Sequence, residues 1–245
     1  AGAATVCEFV DTALGMGYGT ALTPILMIVG FEPLQIVPAV LVSELLTGLV
    51  GAGMHHRAGN VLFTRKSADT RAAAVLAACS IVGVTTAVAI AVQIPKLYLK
   101  VWIGVLVLGI GVFILWTPKA LARFSWRKIV GLGLIAAFNK GPSGGGYGPV
   151  VTGGQIVAGV KAKNAVGITS LAEALTCVVA VVLYLVLQKG GFYWPLAMSL
   201  MAGAVLSVPF ATWTVKRMPL PAMTRLIGYA TVFLGTLTLV KVVVG

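Results

Sequence analysis

Two glycine-rich stretches decide the fold, namely GMGYGTALTP at residues 15–24 and GGGYGPVVTGG at residues 144–154. Each lies inside a longer apolar segment, the first at residues 2–30 and the second at residues 131–159. Glycine and proline at this density end a helix or let the chain turn back on itself. The sequence therefore predicts a broken helical segment in each half of the chain.

The two stretches are copies of one another. When 129 is added to the residue number, 12 of the 43 positions from 8 to 50 are identical, against roughly 4 expected by chance. The identical pairs are Phe9 and Phe138, Gly15 and Gly144, Gly17 and Gly146, Tyr18 and Tyr147, Gly19 and Gly148, Thr23 and Thr152, Gly30 and Gly159, Val37 and Val166, Glu44 and Glu173, Leu46 and Leu175, Thr47 and Thr176, and Val50 and Val179. An internal duplication is predicted, with repeat 1 at residues 1–125 and repeat 2 at residues 126–245.

The composition around these breaks is that of a membrane protein. Of the 245 residues, 59% are hydrophobic and 10% are charged, whereas soluble domains average about 45–50% apolar and about 25% charged residues. These values exclude a soluble enzyme, a disordered chain and a nucleic-acid-binding domain, despite the formal net charge of +12. The other apolar runs lie at residues 34–54, 72–92, 101–118, 164–188, 190–215 and 226–240. We therefore predict an all-α integral membrane protein with a single transmembrane domain at residues 1–245.

The basic residues discriminate between two topologies, because cytoplasmic loops carry an excess of Lys and Arg. If the broken segments span the membrane, eight full spans result and the basic residues divide nine against seven. If the broken segments are re-entrant hairpins, six full spans remain and the division is thirteen against three. The thirteen are Arg57, Arg65, Lys66, Arg71, Lys119, Arg123, Arg127, Lys128, Lys161, Lys163, Lys216, Arg217 and Arg225, and the three are Lys96, Lys100 and Lys189.

This asymmetry favours two inverted repeats of about four helical segments, each starting with a re-entrant hairpin, over the alternative of eight full spans. The predicted half-helices after the breaks, residues 20–29 and 149–158, reach about 15 Å, roughly half the thickness of the hydrocarbon core. Both termini then lie outside the cytoplasm, and the predicted location is the inner (plasma) membrane.

Two half-helices that begin at the midplane predict an anion site. The first amides of a helix have no partner within the helix and carry partial positive charge. Glycines also let a small ligand approach the backbone. The predicted binding residues are Gly17, Tyr18, Gly19, Thr23, Asn139, Lys140, Ser143, Gly144, Gly145, Gly146, Tyr147, Gly148 and Thr152. The alternative is that the glycines only permit close helix packing and that the tyrosines pack.

Charged residues at membrane depth are costly and usually functional. Lys140 precedes the second break and its repeat partner is Asp11, so Lys140 either attracts the anion or forms a structural pair with Asp11. Glu44 and Glu173 either couple transport to protons or brace the fold by accepting hydrogen bonds from the neighbouring hairpins. Since acids repel anions, bracing is favoured. His55 and His56 are expected in a solvated loop beside Arg57.

The sequence resembles the TauE/SafE family of sulfite exporters over essentially its whole length. The resemblance rests on the two glycine-rich stretches, on HHRAGNV at residues 55–61, and on GAVLSVPFATWTVKRMPLPAMTRLIGYATVFLGTLTLV at residues 203–240. The family usually shows a GxGGG-like run in both halves, whereas the first copy here has Met16 and Tyr18 in place of glycines. Membership implies transport of a small sulfur-containing anion such as sulfite or sulfoacetate.

The combined expectation is a transporter that exports such an anion from the cytoplasm through a site between the hairpin tips. It is not expected to be an enzyme and needs no cofactor or metal, since the sequence shows no metal triad or cofactor fingerprint. Its expected partners are the anion and the lipid bilayer, with no nucleic acid and a possible homo-oligomer. The alternatives are a proton-coupled importer of a small anion and a non-transporting membrane assembly subunit.

Overall fold

The computed structural model describes residues 1–91, 96–116, 124–143, 147–187 and 193–244. Within these ranges the regular secondary structure is entirely helical. The helices are α1 (Gly2–Leu14), α2 (Tyr18–Val29), α3 (Pro33–Ala58), α4 (Ala68–Ala91), α5 (Lys96–Trp116), α6 (Trp126–Ser143), α7 (Tyr147–Val157), α8 (Ala162–Leu187), α9 (Trp194–Arg217) and α10 (Leu220–Val244). The bounds of α2 and α3 recur in α7 and α8 when 129 is added, except that α7 ends one residue early.

Long apolar helices make up most of the bundle. Five of them, among the described residues, are long and apolar enough to cross a bilayer. These candidate spans are Gln35–Ala58, Ala68–Thr86, Ala162–Val186, Trp194–Arg217 and Leu220–Val240. Helix α5 adds a shorter apolar stretch at Val107–Trp116. The prediction of an all-α, multi-pass integral membrane protein is thereby confirmed.

The broken segments fold as pairs of short helices. Helix α1 ends at Gly15, whose φ of 72° is left-handed, and Gly17 has a φ of 124°. Both conformations favour glycine, which lacks a Cβ atom. The half-helices α2 and α7 each begin two residues before their predicted starts. Their 12 and 11 residues reach about 18 and 16 Å.

The second pair, α6 and α7, begins and ends on the same side of the bundle. The amide of Ser125, just before α6, donates to the carbonyl of Ala158, just after α7, at 3.1 Å. The N-terminus of α8 lies at this end too, because α8 begins four residues after Ala158. Lys163 Nζ then donates to the carbonyl of Lys216 and places the C-terminus of α9 at the same end. The start of α4 and the end of α3 lie here as well, because Asn164 Nδ2 of α8 donates to Asp69 Oδ2 and Gly167 of α8 faces His55. We call this the basic end, after the lysines and arginines at these helix ends, Arg57, Arg65, Lys66, Arg71, Arg127, Lys128, Lys161, Lys163, Lys216 and Arg217.

The first pair, α1 and α2, opens towards the opposite end. The ring of Phe31, just after α2, lies 6.3 Å from that of Tyr193, just before α9. The amino group of Ala1, at the start of α1, lies 3.5 Å from Ser199 Oγ in the first half of α9. The two hairpins thus enter the bundle from opposite ends.

Equivalent helices of the two halves pack against each other in antiparallel fashion. Helix α5 packs on α10, where Gly104 faces Leu239 and Gly111 faces Val232. Helix α3 packs on α8, and the first hairpin packs on α9 as the second packs on α4. When 129 is added to the residue numbers of the first half, the contact of α1 with α9 becomes the contact of α6 with α4. The contacts of α5 with α10 and of α3 with α8 each map onto themselves. A two-fold axis perpendicular to the long axes of the helices produces this pattern, so the packing supports the predicted inverted repeats.

His55 does not lie in a solvated loop, so that expectation was wrong. Helix α3 continues to Ala58, and the His55 side chain is fully buried. Its Nε2 lies 3.0 Å from the Thr12 carbonyl oxygen in α1 and its Nδ1 lies 3.0 Å from Asn60 Nδ2. Asn60 Nδ2 also donates to the carbonyl of Thr212 in α9. The last turn of α3 is therefore covered by α1 and α9, whereas the neighbouring His56 is exposed.

Replacing His55 should loosen this junction. We expect His55→Ala to lower the free energy of unfolding by about 1–3 kcal/mol, because it leaves the Thr12 carbonyl and the Asn60 amide without their buried partner. Thermal unfolding of the detergent-solubilised protein measures the loss. His56→Ala is the control, and an equal loss in both variants would contradict a specific role for His55.

The two ends of the bundle should face opposite sides of the membrane. The three native cysteines are buried, so a membrane-impermeant maleimide should label only introduced thiols. Arg65→Cys lies at the basic end and Glu32→Cys at the opposite end, and both positions are exposed. We expect Glu32→Cys to label in intact cells and Arg65→Cys only after the membrane is opened. Labelling of Arg65→Cys alone in intact cells would reverse the orientation.

Candidate functional site at the hairpin tips

The tips of the two hairpins touch inside the bundle. Thr152 Oγ1 in α7 donates to the carbonyl oxygen of Gly15 at the first break, over 2.8 Å. A Cβ atom on Gly148 would lie 2.5 Å from the same carbonyl oxygen. Glycine is required at 148 for this approach, so at least one glycine of the repeated motif serves packing between the tips.

Lys140 forms the centre of the site. It is 2% exposed, and its Nζ lies 2.9 Å from Glu44 Oε2 and 2.5 Å from Glu173 Oε1. The ammonium also lies 5.3 Å from the centroid of the Tyr147 ring, within the range of a cation–π contact. A buried ion costs several kcal/mol unless it is paired, and here α3 and α8 supply one carboxylate each.

The pairing differs from the repeat-based hypotheses at two of three points. Lys140 was considered as a partner of Asp11, but its ion pairs are with Glu44 and Glu173. The two glutamates were expected to accept hydrogen bonds from their neighbouring hairpins. Glu173 does so, through Lys140 of the second hairpin, whereas Glu44 binds the same lysine and not a described group of the first hairpin. The reason is the packing of α3 on α8, which brings the repeated glutamates to either side of one ammonium group.

Asp11 has a different role at the first break. Its Oδ1 accepts a hydrogen bond from the amide of Tyr18, the first residue of α2, at 3.1 Å. The partial positive charge at this helix end is therefore met by a carboxylate of the chain itself. The equivalent position in the second half is Lys140, a cation. The two half-helices thus begin beside groups of opposite charge.

The tyrosines predicted as donors bind neighbouring side chains. Tyr18 Oη lies 2.8 Å from Ser43 Oγ, and Tyr147 Oη lies 3.3 Å from Ser80 Oγ. Both rings are fully buried. Thr23 Oγ1 is a buried atom without a hydrogen-bond partner among the described residues.

The remaining predicted binding residues divide into two groups. Gly17 and Gly19 lie at the first tip, where Gly19 is buried in the first turn of α2. Gly144, Gly145 and Gly146 lie outside the described residues, as do the side chains of Asn139 and Ser143.

A small acidic cavity adjoins the ion pairs. Its volume is about 10 Å³, about the room of a single water molecule. Its lining residues are Glu8, Asp11, Thr12, Glu44, Thr47, Gly48, Ser170 and Glu173. With Lys140 beside it, this region holds four carboxyl groups and one ammonium group, so full ionisation would leave three negative charges uncompensated. An anion near the tips must overcome this field.

Sequence reasoning missed Glu8, which is 2% exposed. Thr12 Oγ1 donates to its Oε1 at 2.7 Å, while its Oε2 has no partner among the described residues. The repeat gave no signal, because the equivalent residue is Ala137. The available signal was an acid in an apolar helix with a hydroxyl four residues later, on the same helix face.

A larger open cavity lies at the basic end. Its volume is about 220 Å³, and its lining includes Asp69, Phe124, Lys161 and Asn164. Asn164 Nδ2 donates to Asp69 Oδ2 at 2.8 Å. A small anion would fit this space, and Lys161 supplies a positive charge at its rim.

Comparison with known proteins now identifies the family. The model of the sulfite exporter family TauE/SafE matches residues 1–238. The chain belongs to the TauE/SafE family. It is also similar to the probable membrane transporter protein YtnM of Bacillus subtilis (strain 168), with 27% identity over 245 residues, which covers 96% of this chain and 79% of that protein. No solved structure matches the chain. The resemblance seen in the motifs is confirmed, and the protein is a membrane transporter of this family.

The ion pairs should dominate the stability of the site. Lys140→Met leaves two buried carboxyl groups without their cation, and we expect a loss of about 3–5 kcal/mol in the free energy of unfolding. Thermal unfolding in detergent measures it.

Combining Lys140→Met with Glu44→Gln and Glu173→Gln removes all three charges and should restore most of the stability, because neutral groups of similar shape carry no ionic desolvation cost. A triple variant that is no more stable than Lys140→Met alone would show that the charge pairing does not set the stability.

Proposed function

We propose that this TauE/SafE transporter exports a small sulfur-containing anion, such as sulfite or sulfoacetate, from the cytoplasm through a midplane site between the two hairpin tips. The observation that carries the proposal is the buried Lys140 beside Tyr147, the first residue of the second half-helix, in a chain of this family. A buried lysine inside a membrane protein is costly to keep, and anion binding is the function that most directly uses its charge.

The second tip is the proposed binding element. The first half-helix already has Asp11 at its N-terminus, so an anion there would meet a carboxylate. The second half-helix begins beside Lys140 and Tyr147, where an anion would meet a cation and the positive end of α7. In this proposal the anion takes the place of a glutamate at the Lys140 ammonium group.

The basic end is the proposed cytoplasmic entrance. Its lysines and arginines concentrate anions near the membrane, and the cavity beside Lys161 provides space for one. A membrane potential that is negative inside favours anion exit by about 2.3 kcal/mol per charge per 100 mV. Export therefore requires no coupling ion. Six full spans, two re-entrant hairpins and both termini outside complete this topology.

The acidic surroundings of Lys140 favour a second candidate, a proton-coupled importer of a small anion. Four carboxyl groups around one ammonium group repel an anion unless some of them are protonated. An anion that binds together with protons would move in the same direction as the protons. An inward proton gradient would then drive uptake.

Flux into and out of proteoliposomes tests the proposal. We expect labelled sulfite to leave vesicles containing the purified protein faster than it leaves protein-free vesicles, and a potential that is negative inside to accelerate this exit. Efflux no faster than that from protein-free vesicles would refute transport of sulfite, and acceleration of uptake by an inward proton gradient alone would favour the importer.

The matched variant for the site is the charge-free combination of Lys140→Met, Glu44→Gln and Glu173→Gln. It removes the cation that attracts the anion and leaves no buried carboxylate unpaired, so we expect a folded protein with little sulfite flux. The control is Lys96→Met, which removes one basic residue at the start of α5. We expect it to keep the wild-type flux. Wild-type flux in the triple variant would exclude Lys140 from anion binding.

A further inference from the structure

The acidic cavity is lined by one carboxyl group that binds neither Lys140 nor a backbone amide in the described part of the chain. Glu44 and Glu173 bind Lys140, and Asp11 accepts a hydrogen bond from the amide of Tyr18. Glu8 is held through one oxygen by Thr12 Oγ1, while its other oxygen, Oε2, is buried without a partner in the described part of the chain. Glu8 lines the cavity together with Thr47, whose hydroxyl also stabilises the Glu8 carboxylate. A ligand the size of a water molecule in the cavity would meet both groups.

The chemistry of the lining selects the ligand. Three further carboxyl groups surround the cavity, so it attracts positive charge. Among the described residues, no three His, Cys, Asp or Glu side chains are grouped so that they could hold a metal ion. A volume of about 10 Å³ admits about one water molecule or hydronium ion. The occupant that fits is a proton delivered through water.

We propose that Glu8 is the proton-binding carboxyl group of this transporter and that its proton is carried together with the anion. The inference rests on the proposed anion transport in its second, proton-coupled form, and it assigns the coupling group of that form; potential-driven export would need no such group. In the binding step a hydronium ion in the cavity gives its proton to Glu8 Oε2 and leaves as water, while the carboxylate becomes a neutral carboxylic acid. The reverse step releases the proton to water on the other side.

Glu8 is surrounded by groups that also respond to charge. Asp11 and Cys7 lie on its own helix, α1, and the phenol of Tyr18 lies on α2. On the other helices, Glu44 of α3 and Glu173 of α8 share the lining of the cavity with Glu8. One contact further away lie Lys140 of α6, which binds both glutamates, Cys177 of α8, which binds Glu44, and His55 of α3, which contacts the Thr12 carbonyl. Lys140 is the one cation in this set, so each carboxyl proton reduces an excess of negative charge.

Protonation of Glu8 links the cavity to the anion site. With one negative charge removed, the field around Lys140 becomes less repulsive to an anion. Thermodynamic reciprocity requires that anion binding then favours proton binding by the same factor. Proton and anion are bound together and travel together. Glu44 and Glu173 remain with Lys140 and hold it in place for the anion.

Transport measurements test the coupling. Labelled sulfite and an entrapped pH dye together give the number of protons moved per sulfite in proteoliposomes. We expect Glu8→Gln to move about one proton fewer per sulfite than the wild type and to lose the response of sulfite flux to a pH gradient. Because the comparison uses the same anion, the protons that sulfite itself carries cancel. Glu32→Gln, at an exposed carboxyl group, should behave as the wild type.

A spectroscopic measurement tests proton binding without transport. Infrared difference spectra of the detergent-solubilised protein between about pH 5 and about pH 8 report carboxyl groups that gain protons. We expect one buried carboxylic-acid band that is absent in Glu8→Gln and present in Glu32→Gln. Thr12→Val keeps Glu8 but removes its hydroxyl donor, so the band should appear at higher pH, because the carboxylate loses a stabilising hydrogen bond.

The outcomes separate this inference from the proposed function. If the wild type moves no sulfite while the band depends on Glu8, sulfite transport fails and Glu8 remains the proton-binding group. If sulfite moves but Glu8→Gln retains the band and the wild-type proton count, the inference about Glu8 is overturned. If Glu8→Gln does not fold, the Thr12→Val variant provides the test. A carboxylic-acid band that appears at the same pH in Thr12→Val as in the wild type would also overturn the inference.

Discussion

The architecture depends on one buried cation held between two carboxylates. Lys140 lies on the second hairpin, and Glu44 and Glu173 approach it from the paired central helices α3 and α8. In hydrocarbon an unpaired ammonium or carboxylate is far more costly than either is at a surface. The three charges therefore fix the depth of the hairpin relative to α3 and α8. Because one ammonium group binds both carboxylates, the antiparallel helices α3 and α8 must also place the equivalent residues Glu44 and Glu173 close together.

The sequence predicted those features that depend on local chemistry. Glycines at the two breaks and the repeat between Tyr18 and Tyr147 located both half-helices to within two residues. The partner of Lys140 was not predictable from the repeat, because the repeat relates Lys140 to Asp11 but does not place them in contact. The contact instead depends on how α3 packs against α8. Glu8 and His55 were missed for the same reason, since burial of a polar side chain depends on helices distant in sequence.

The two halves share a backbone plan but carry opposite charges at the helix breaks, with Asp11 at the first break and Lys140 at the second. At the first break, Asp11 accepts a hydrogen bond from the amide of Tyr18, so a side chain of the same hairpin caps the N-terminus of α2. At the second break, the equivalent residue is Lys140, and its charge is balanced by residues from both halves. The two hairpins have the same backbone plan and touch at their tips, but the residues at their breaks differ in charge. The first tip is closed by its own carboxylate, and the second presents a cation.

A surplus of carboxyl groups beside the only buried lysine in the described residues is compatible with anion transport. A lysine with no carboxylate nearby would hold an anion tightly in a region of low dielectric constant, and tight binding slows release. In the proposed site, the paired glutamates compete with the anion for the ammonium group and so weaken its hold. The same pairing lowers the cost of the lysine when no anion is present. The field around Lys140 depends on how many of the surrounding carboxyl groups carry protons, so in the proposed site the occupancy by an anion follows the proton supply.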